Sequence, residues 1–395
     1  MSAAVITPIV MPKWGLSMAE GTVVGWLVEE GAAISVGRPI LEVETDKIAN
    51  AVEAPDPGLL RRRLAVAGEV LPVKSLLGVM APPEVSEAEI DAYIAAFVVP
   101  EPAAGDQEDA AAATLWAEVD GIRVRYASRG DGADLADPAD PLDSAERAVH
   151  PPPVLFLHGF GGDLDNWLFN LDAVAAAVPV IALDLPGHGQ SDVRLPGAGT
   201  LADLADFVLH FLDHLGLERV HVVGHSMGGA IAAQMALAAP RRVASLVLIA
   251  SAGLGAEINA GYTGGFVAAA TRRELKPVIE QLFADPSRVS RQMLDDLLRY
   301  KRLDGVSQLL AQLERQLFAG GRQAELPVLR LAGSALPIAL VWGGEDSVIP
   351  ATHAALAPAG ASVQVLAGAG HMVMMEQAGE VNARILAQVR GRAPG

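Results

Sequence analysis

The sequence predicts two domains of different class: an all-β domain of two packed strand layers, followed by a larger α/β domain with a parallel sheet and a helical insertion. Three observations predict this. Residues 5–81 hold short β-prone runs broken by Gly and Pro, and they contain an internal repeat. The stretch Pro100 to Ala113 turns abruptly to Ala, Pro and acid. From Leu115 onward, continuous apolar runs alternate with helical stretches.

A shift of 37 positions carries Gly21 onto Gly58, Leu27 onto Leu64, Gly31 onto Gly68, Ile34 onto Leu71, Val36 onto Val73 and Ile40 onto Leu77. Shared turn glycines and shared inward apolar positions predict two similar four-strand units packed face to face. Lys47, in Glu44-Thr45-Asp46-Lys47-Ile48-Ala49-Asn50, falls between the halves, where a hairpin tip is exposed to other proteins. Residues 82–114 are read as a short helix within Glu84 to Val98, with Ile90, Tyr93, Ile94 and Phe97 on one face, and then a linker.

The second domain, 115–395, starts with a hairpin around Asp120-Gly121 and a polar excursion from Asp131 to Pro153. Apolar strands are expected at Val154 to Leu157, Val180 to Leu183, Val220 to Val223, Leu246 to Ile249 and Ile338 to Trp342. Runs this uniformly apolar belong in a parallel sheet buried on both faces. Residues from about 254 to 336 interrupt the alternation with helices, including Pro277 to Phe283 and Val289 to Arg299, and predict a cap over the sheet edge.

With 395 residues, 51% of them hydrophobic and 19% charged, the chain has material for two well-filled cores. Its formal net charge of −18 argues against a nucleic-acid partner, since phosphate binding needs Lys and Arg. It has no cysteine, which excludes disulfides, thiolate metal sites and a Cys nucleophile; no metal site is expected. Met1 to Val10 has no basic segment followed by a long apolar one, and Leu171 to Leu183 is broken by Asp172 and Pro179. Neither a secretory signal nor a membrane span is expected, and the chain reads as cytoplasmic.

The chemistry-bearing run is Gly224-His225-Ser226-Met227-Gly228, between an apolar strand and a helix-prone stretch. Flanking glycines permit a sharp strand-to-helix turn that presents the hydroxyl, and the Met227 amide then faces a developing oxyanion. Asp346 follows the strand ending at Trp342, and His371 follows a short strand at Val363 to Leu366. The order Ser226, Asp346, His371 suits nucleophile, orienting acid and base. Asp346 is preferred over Glu345 by its spacing from the strand. Phe160, in His158-Gly159-Phe160-Gly161-Gly162, is the candidate second oxyanion donor. His158 and His225 are assigned to packing, and Asp184 to holding a turn.

Residues 5–81 resemble the lipoyl domains of 2-oxoacid and acetoin dehydrogenase complexes, through Met11-Pro12-Lys13, Gly15-Leu16-Ser17-Met18, Glu20-Gly21 and Glu44-Thr45-Asp46-Lys47. That family has an N-terminal all-β lipoyl domain, a flattened barrel or sandwich. Residues 115–390 resemble the α/β-hydrolase fold with a helical cap, near carbon–carbon bond hydrolases and esterases. The fusion is similar to the acetyltransferase components of acetoin dehydrogenase complexes. The resemblance implies lipoate attached covalently to Lys47, one of only five lysines here, with coenzyme A as co-substrate. Biotin carriers share the fold but usually flank the lysine with Met, where this chain has Asp46 and Ile48. A thiamine-dependent acetoin-cleaving component and a flavin dihydrolipoyl dehydrogenase are the implied partners. Better-known acyltransferase components carry a subunit-binding domain and a His-x-x-x-Asp-Gly run. This chain has no such run and too short a linker, so their polyhedral core is not implied.

The residues themselves leave the acyl acceptor open. An acyl-serine on Ser226 is released by a thiol or by water, so an esterase, thioesterase or carbon–carbon bond hydrolase stands beside the transferase, and a scaffold with a silent hydrolase fold is a third class. Arg272, Arg273 and Lys276 could meet coenzyme A phosphates, although a solvated helix face is the preferred reading.

Overall fold

Strand alternation and strand order are taken from a computed structural model, which describes residues 6–12, 14, 18, 20–35, 38–45, 49–54, 56–98, 115–130 and 151–391. Lys47, the linker at 100–113 and the excursion at 131–150 lie outside the described residues. The chain forms two compact units, the first made of Met1–Ala111 with Arg288–Met293 and the second of Ala112–Ser287 with Leu294–Gly395.

Eight strands build the first unit: β1 (Thr7–Val10), β2 (Glu20–Trp26), β3 (Ala33–Ile34), β4 (Pro39–Glu44), β5 (Ala49–Glu53), β6 (Gly58–Arg63), β7 (Val70–Pro72) and β8 (Leu76–Met80). They form two four-stranded antiparallel sheets, ordered β1-β8-β6-β3 and β5-β4-β2-β7. The expected count of layers holds, but the repeat halves are not the sheets. Each sheet takes two strands from each half, and this exchange ties the halves together through backbone hydrogen bonds as well as core contacts. Gly31 and Gly68 occupy equivalent turns with φ of 83° and 86°, a region that favours glycine. Ile40 and Leu77 are both fully buried, as the repeat requires. Leu27 departs from it and is 48% exposed. The register shift between Val23 and Gly25 in β2 has its counterpart between Leu60 and Arg62 in β6, so it belongs to the repeat; Leu27 instead lies just past the end of β2 at Trp26, outside the strand's alternation. The neighbouring Trp26 donates its indole N–H to the Ala65 carbonyl at 2.9 Å.

The helix Glu87–Ala96 starts at Ser86, whose side chain and that of Glu89 complete a capping box. Ile90 is buried among Val79, Ala81 and Val85, with Tyr93 and Ile94 packed beside it, so the face legible in the sequence is the face that docks. Arg61 and Arg62 pair with Glu87, and Arg62 also pairs with Asp91.

The second unit is an eight-stranded sheet in the order β16-β15-β14-β13-β11-β12-β10-β9. Its strands are β9 (Leu115–Val119), β10 (Ile122–Arg129), β11 (Val154–Leu157), β12 (Val180–Leu183), β13 (Val220–His225), β14 (Val243–Ile249), β15 (Ile338–Gly343) and β16 (Ser362–Leu366). β11 to β16 are parallel; β10 runs antiparallel to β12 and to β9. Every residue of β11, β12 and β15 is buried, as runs such as Val-Leu-Phe-Leu demand of strands covered on both faces.

Between β14 and β15 lie the helices Ala260–Ala268, Arg272–Ile279, Arg291–Lys301 and Val306–Leu317. Pro277 does not open a helix, as expected from the sequence, but sits inside Arg272–Ile279. That helix starts from a capping box of Thr271 and Glu274, and the box outweighed the proline as a start signal. Among the described residues no helix is long and apolar enough to cross a membrane.

Candidate active site

β13 runs directly into the helix Met227–Ala238, and Ser226 is the hinge between them, with φ 51° and ψ −117°. A non-glycine residue there is strained by about 1–3 kcal/mol, and the surroundings must enforce it. They do so through hydrogen bonds: the Ser226 amide donates to the Ile249 carbonyl at 3.0 Å, and its carbonyl accepts from Gly229 and Ala252 at 3.0 Å each. Gly228 is needed for close approach, since a Cβ there would sit 2.2 Å from the Leu157 carbonyl oxygen. The helix therefore begins hard against the end of β11. Met227 is its first residue, so its amide has no intrahelical acceptor and stands at the positive end of the helix dipole.

The ends of β15 and β16 bring His371 and Asp346 together. His371 Nδ1 donates to Asp346 Oδ2 at 2.8 Å, with both side chains almost fully buried. Asp346 Oδ1 accepts from the amides of Val348 (2.8 Å) and Ile349 (3.0 Å), and Oδ2 also accepts from Trp342 Nε1 (3.1 Å). Four donors fix this carboxylate, while the neighbouring Glu345 is exposed. With its proton on Nδ1, the imidazole keeps an unprotonated Nε2, the form a general base requires.

His225, adjacent to the hinge, connects the two groups. Its Nε2–H donates to the His371 carbonyl at 3.0 Å, and the two rings lie 4.7 Å apart. Burial holds its pKa well below the ordinary histidine value, so it is neutral. It acts as a packing and tethering residue, in line with its assignment from the sequence. His158 is also buried, with its pKa pushed down to about 4 by burial, and its Nε2 accepts from the Leu185 amide at 2.9 Å. Asp184 accepts from Arg125 Nε (2.6 Å) and from the Leu164 and Gln190 amides (2.8 Å each), so it pins the turn after β12.

The loop after β11 lies against the hinge: a Cβ on Gly159 would be 3.0 Å from Ser226 Cβ. Phe160 follows, with its ring 5.9 Å from both Phe266 and Phe318 of the segment between β14 and β15. Tyr262, one turn before Phe266, donates its hydroxyl to the Phe160 carbonyl at 3.4 Å and has its ring 6.5 Å from His371. Lys301 is buried beside this helix, donates to the carbonyls of Phe266 and Val267, and has its pKa pushed down to about 8 by burial. Spacing alone could not have singled out Tyr262, Phe266 and Lys301, since they read as ordinary helix residues. Arg272 pairs with Asp295 and Lys276 with Glu280, the solvated-face outcome.

A serine hinge over a parallel sheet, backed by a buried His–Asp pair, marks the α/β-hydrolase class. Residues 152–378 match the alpha/beta hydrolase fold family, and residues 7–80 match the family described as biotin-requiring enzyme, which covers biotin and lipoyl carriers. The chain is 61% identical over 386 residues to the dihydrolipoyllysine-residue acetyltransferase component of the acetoin cleaving system of Cupriavidus necator, covering 98% of both chains. It is 48% identical to the protein of the same description in Pseudomonas putida, over 98% of this chain and 99% of that one. The chain belongs to this family of acetyltransferase components. A 2-hydroxy-6-oxononadienedioate/2-hydroxy-6-oxononatrienedioate hydrolase of Pseudomonas putida is 32% identical over 59% of this chain and 86% of its own. A meta-cleavage product hydrolase from Pseudomonas fluorescens shares the fold with a TM-score of 0.59 at 20% identity, over 70% of this chain and 97% of that chain.

Proposed function

We propose that this chain transfers an acetyl group from S-acetyl-dihydrolipoyl-lysine to coenzyme A, as the acetyltransferase component of an acetoin cleaving system, with Ser226, His371 and Asp346 as its catalytic residues. The reading rests on one observation: the 2.8 Å His371–Asp346 hydrogen bond tethered, through His225, to the strained hinge at Ser226. We assign residues 5–81 to the carrier domain, 82–114 to the short helix and linker, and 115–395 to the catalytic domain with its cap at about 254–336.

Lipoate on Lys47 suits the hairpin of β4 and β5, whose register closes with Glu44 opposite Ala49 and leaves a short tip between them. The group supplies the dithiol, absent from a chain without cysteine, on which an acyl group is held as a thioester. In the first half-reaction Ser226 Oγ bonds to the thioester carbonyl carbon while His371 Nε2 takes the hydroxyl proton. The Phe160 and Met227 amides donate to the carbonyl oxygen as it gains charge. The carbon–sulfur bond then breaks and His371 returns its proton to the leaving sulfur, with the acetyl group on Ser226. In the second half-reaction His371 takes the thiol proton of coenzyme A, the sulfur bonds to the acetyl carbon, and Ser226 Oγ leaves with that proton. Asp346 keeps the imidazole in one tautomer throughout and steadies its positive charge.

The relatives are named as components of an acetoin cleaving system, which supports the partners we assign to this chain: a thiamine-dependent acetoin-cleaving component and a flavin dihydrolipoyl dehydrogenase. We place it in the cytoplasm. The likeness to carbon–carbon bond hydrolases favours water as a second acceptor. One assay decides: purified protein with S-acetyl-dihydrolipoamide, with and without coenzyme A, followed for acetyl-CoA and acetate. Acetyl-CoA formation that Ser226→Ala abolishes is the expected result. Acetate alone, unchanged by coenzyme A, overturns the transferase reading.

A further inference from the structure

His371 is fixed by more than its ring. Its loop, Gly368 to Met372, is bonded on three sides. The Ala369 carbonyl accepts from the Glu345 amide at 2.9 Å, and the His371 carbonyl accepts from His225. The third side faces the segment Leu282 to Ala284, between the helices Arg272–Ile279 and Arg291–Lys301. There the Met372 amide donates to the Leu282 carbonyl at 3.0 Å. The contact is backbone on backbone: a Cβ on Gly370 would be 2.7 Å from the Ala284 nitrogen and 2.8 Å from the Phe283 carbonyl carbon.

One side chain spans that seam. Glu376 Oε2 accepts from the Gly370 amide at 2.6 Å, and Glu376 Oε1 accepts from the Ala284 amide at 2.9 Å. The two oxygens of one carboxylate therefore hold the residue just before His371 and the segment between the second and third helices of the insertion. Both bonds are charge-assisted, which makes them short and directional.

We infer that Glu376 is a positioning residue that makes the placement of His371 depend on the seating of Leu282 to Ala284. Base and cap move as one, so the proton acceptor for Ser226 is in register only when the insertion is in place. The inference rests on the reading of His371 as the base. Glu376 acts on His371 through the backbone of Gly370.

The test uses the full-length protein and p-nitrophenyl acetate as acyl donor, with Glu376→Ala, Glu376→Gln and, as reference, Ser226→Ala. Glu376→Ala should lower kcat about a hundredfold, the size expected of an ångström-scale misplacement, while KM moves less than about threefold. Glu376→Gln keeps the volume but offers an N–H to one of two N–H groups, and should fall between. The downfield proton resonance of His371 Nδ1–H should broaden or vanish at a temperature where circular dichroism shows the native fold. Hydrogen exchange should rise together in peptides covering 282–284 and 368–372. Parent-like kcat in a folded variant, or an intact resonance, overturns the proposal, and exchange that rises on one side alone overturns the coupling. If Glu376→Ala fails to fold, the same readouts on Glu376→Gln decide. Unchanged acylation in Ser226→Ala would instead strike the assignment of Ser226, leaving the resonance and exchange results to judge Glu376.

Discussion

The carrier unit and the catalytic unit place their reactive groups in opposite physical settings. Lys47, the lysine proposed to carry lipoate, falls in sequence between β4 and β5, two ordinary antiparallel strands that pair from Glu44 and Ala49. Ser226 sits in a disfavoured backbone conformation, locked by its own carbonyl and by a glycine that admits no side chain. A swinging attachment point needs only exposure and a turn. A nucleophile needs its oxyanion donors and its base fixed to within fractions of an ångström, and the surrounding backbone supplies that at a cost in strain. The histidines divide the same way: all nine lie at position 150 or beyond.

The largest expected effect tests the catalytic side. Ser226→Ala should reduce acetyl transfer by at least about a thousandfold, with thermal stability close to parent, because only the hydroxyl is lost. Coupled assays with S-acetyl-dihydrolipoamide check it. Lys47→Arg is the mirror experiment: intact mass should show no lipoyl increment, while p-nitrophenyl acetate turnover stays at the parent rate. A Lys47 variant that lost ester turnover would break the division between the units.

Glycine substitutions probe the backbone settings. Gly228→Ala forces a methyl to 2.2 Å from the Leu157 oxygen and should cost upwards of about 4 kcal/mol, seen as lost expression or a collapsed melting transition. Gly68→Ala meets nothing within 4 Å and suffers only its φ of 86°, worth about 1–2 kcal/mol in denaturant titration.

A separate effect, spread over the catalytic unit, is one of pH. Burial pushes His158 down to about 4 and His188 down to about 3, against an ordinary value near 6.5, and it holds His225 low as well. The unfolded chain binds protons at these sites below 6.5 and the folded chain does not. Stability of the catalytic unit is therefore full above 6.5 and declines as pH falls toward 4. Hydrogen exchange corrected for intrinsic rates, compared at pH 7 and pH 5, should show loosening in peptides from 151–391 and little change in 20–98.

Much of this division was legible in the residues. The strands β11, β12 and β15 read directly, because a run buried on both faces has no polar member to confuse it. The Ser226 hinge read well because sterics force glycine on both flanks. Asp346 could be preferred to Glu345 only by spacing, and the four donors around its carboxylate come from residues on three different stretches. What stayed hidden was anything set by tertiary approach. Glu376 looks like any acid just ahead of a C-terminal helix, and nothing local says that its two oxygens face Gly370 and Ala284. Leu27 misled because it lies just past the end of β2, where the strand's in–out alternation no longer applies. The interleaved strands of the carrier sheets were equally invisible, since a repeat shows that two halves are alike and not which strands they exchange.

That interleaving bears on how the carrier is made. β1, Thr7–Val10, has β8, Leu76–Met80, as its partner in the sheet. The first strand of this domain thus waits for its last strand, and the loop to be closed is nearly the whole domain. Pairing at such sequence separation slows folding. Until β8 has emerged, the Lys47 hairpin has only part of the sandwich beneath it. An enzyme that recognises the folded hairpin would therefore modify it only after Met80 has cleared the exit tunnel, so modification would follow completion of the fold.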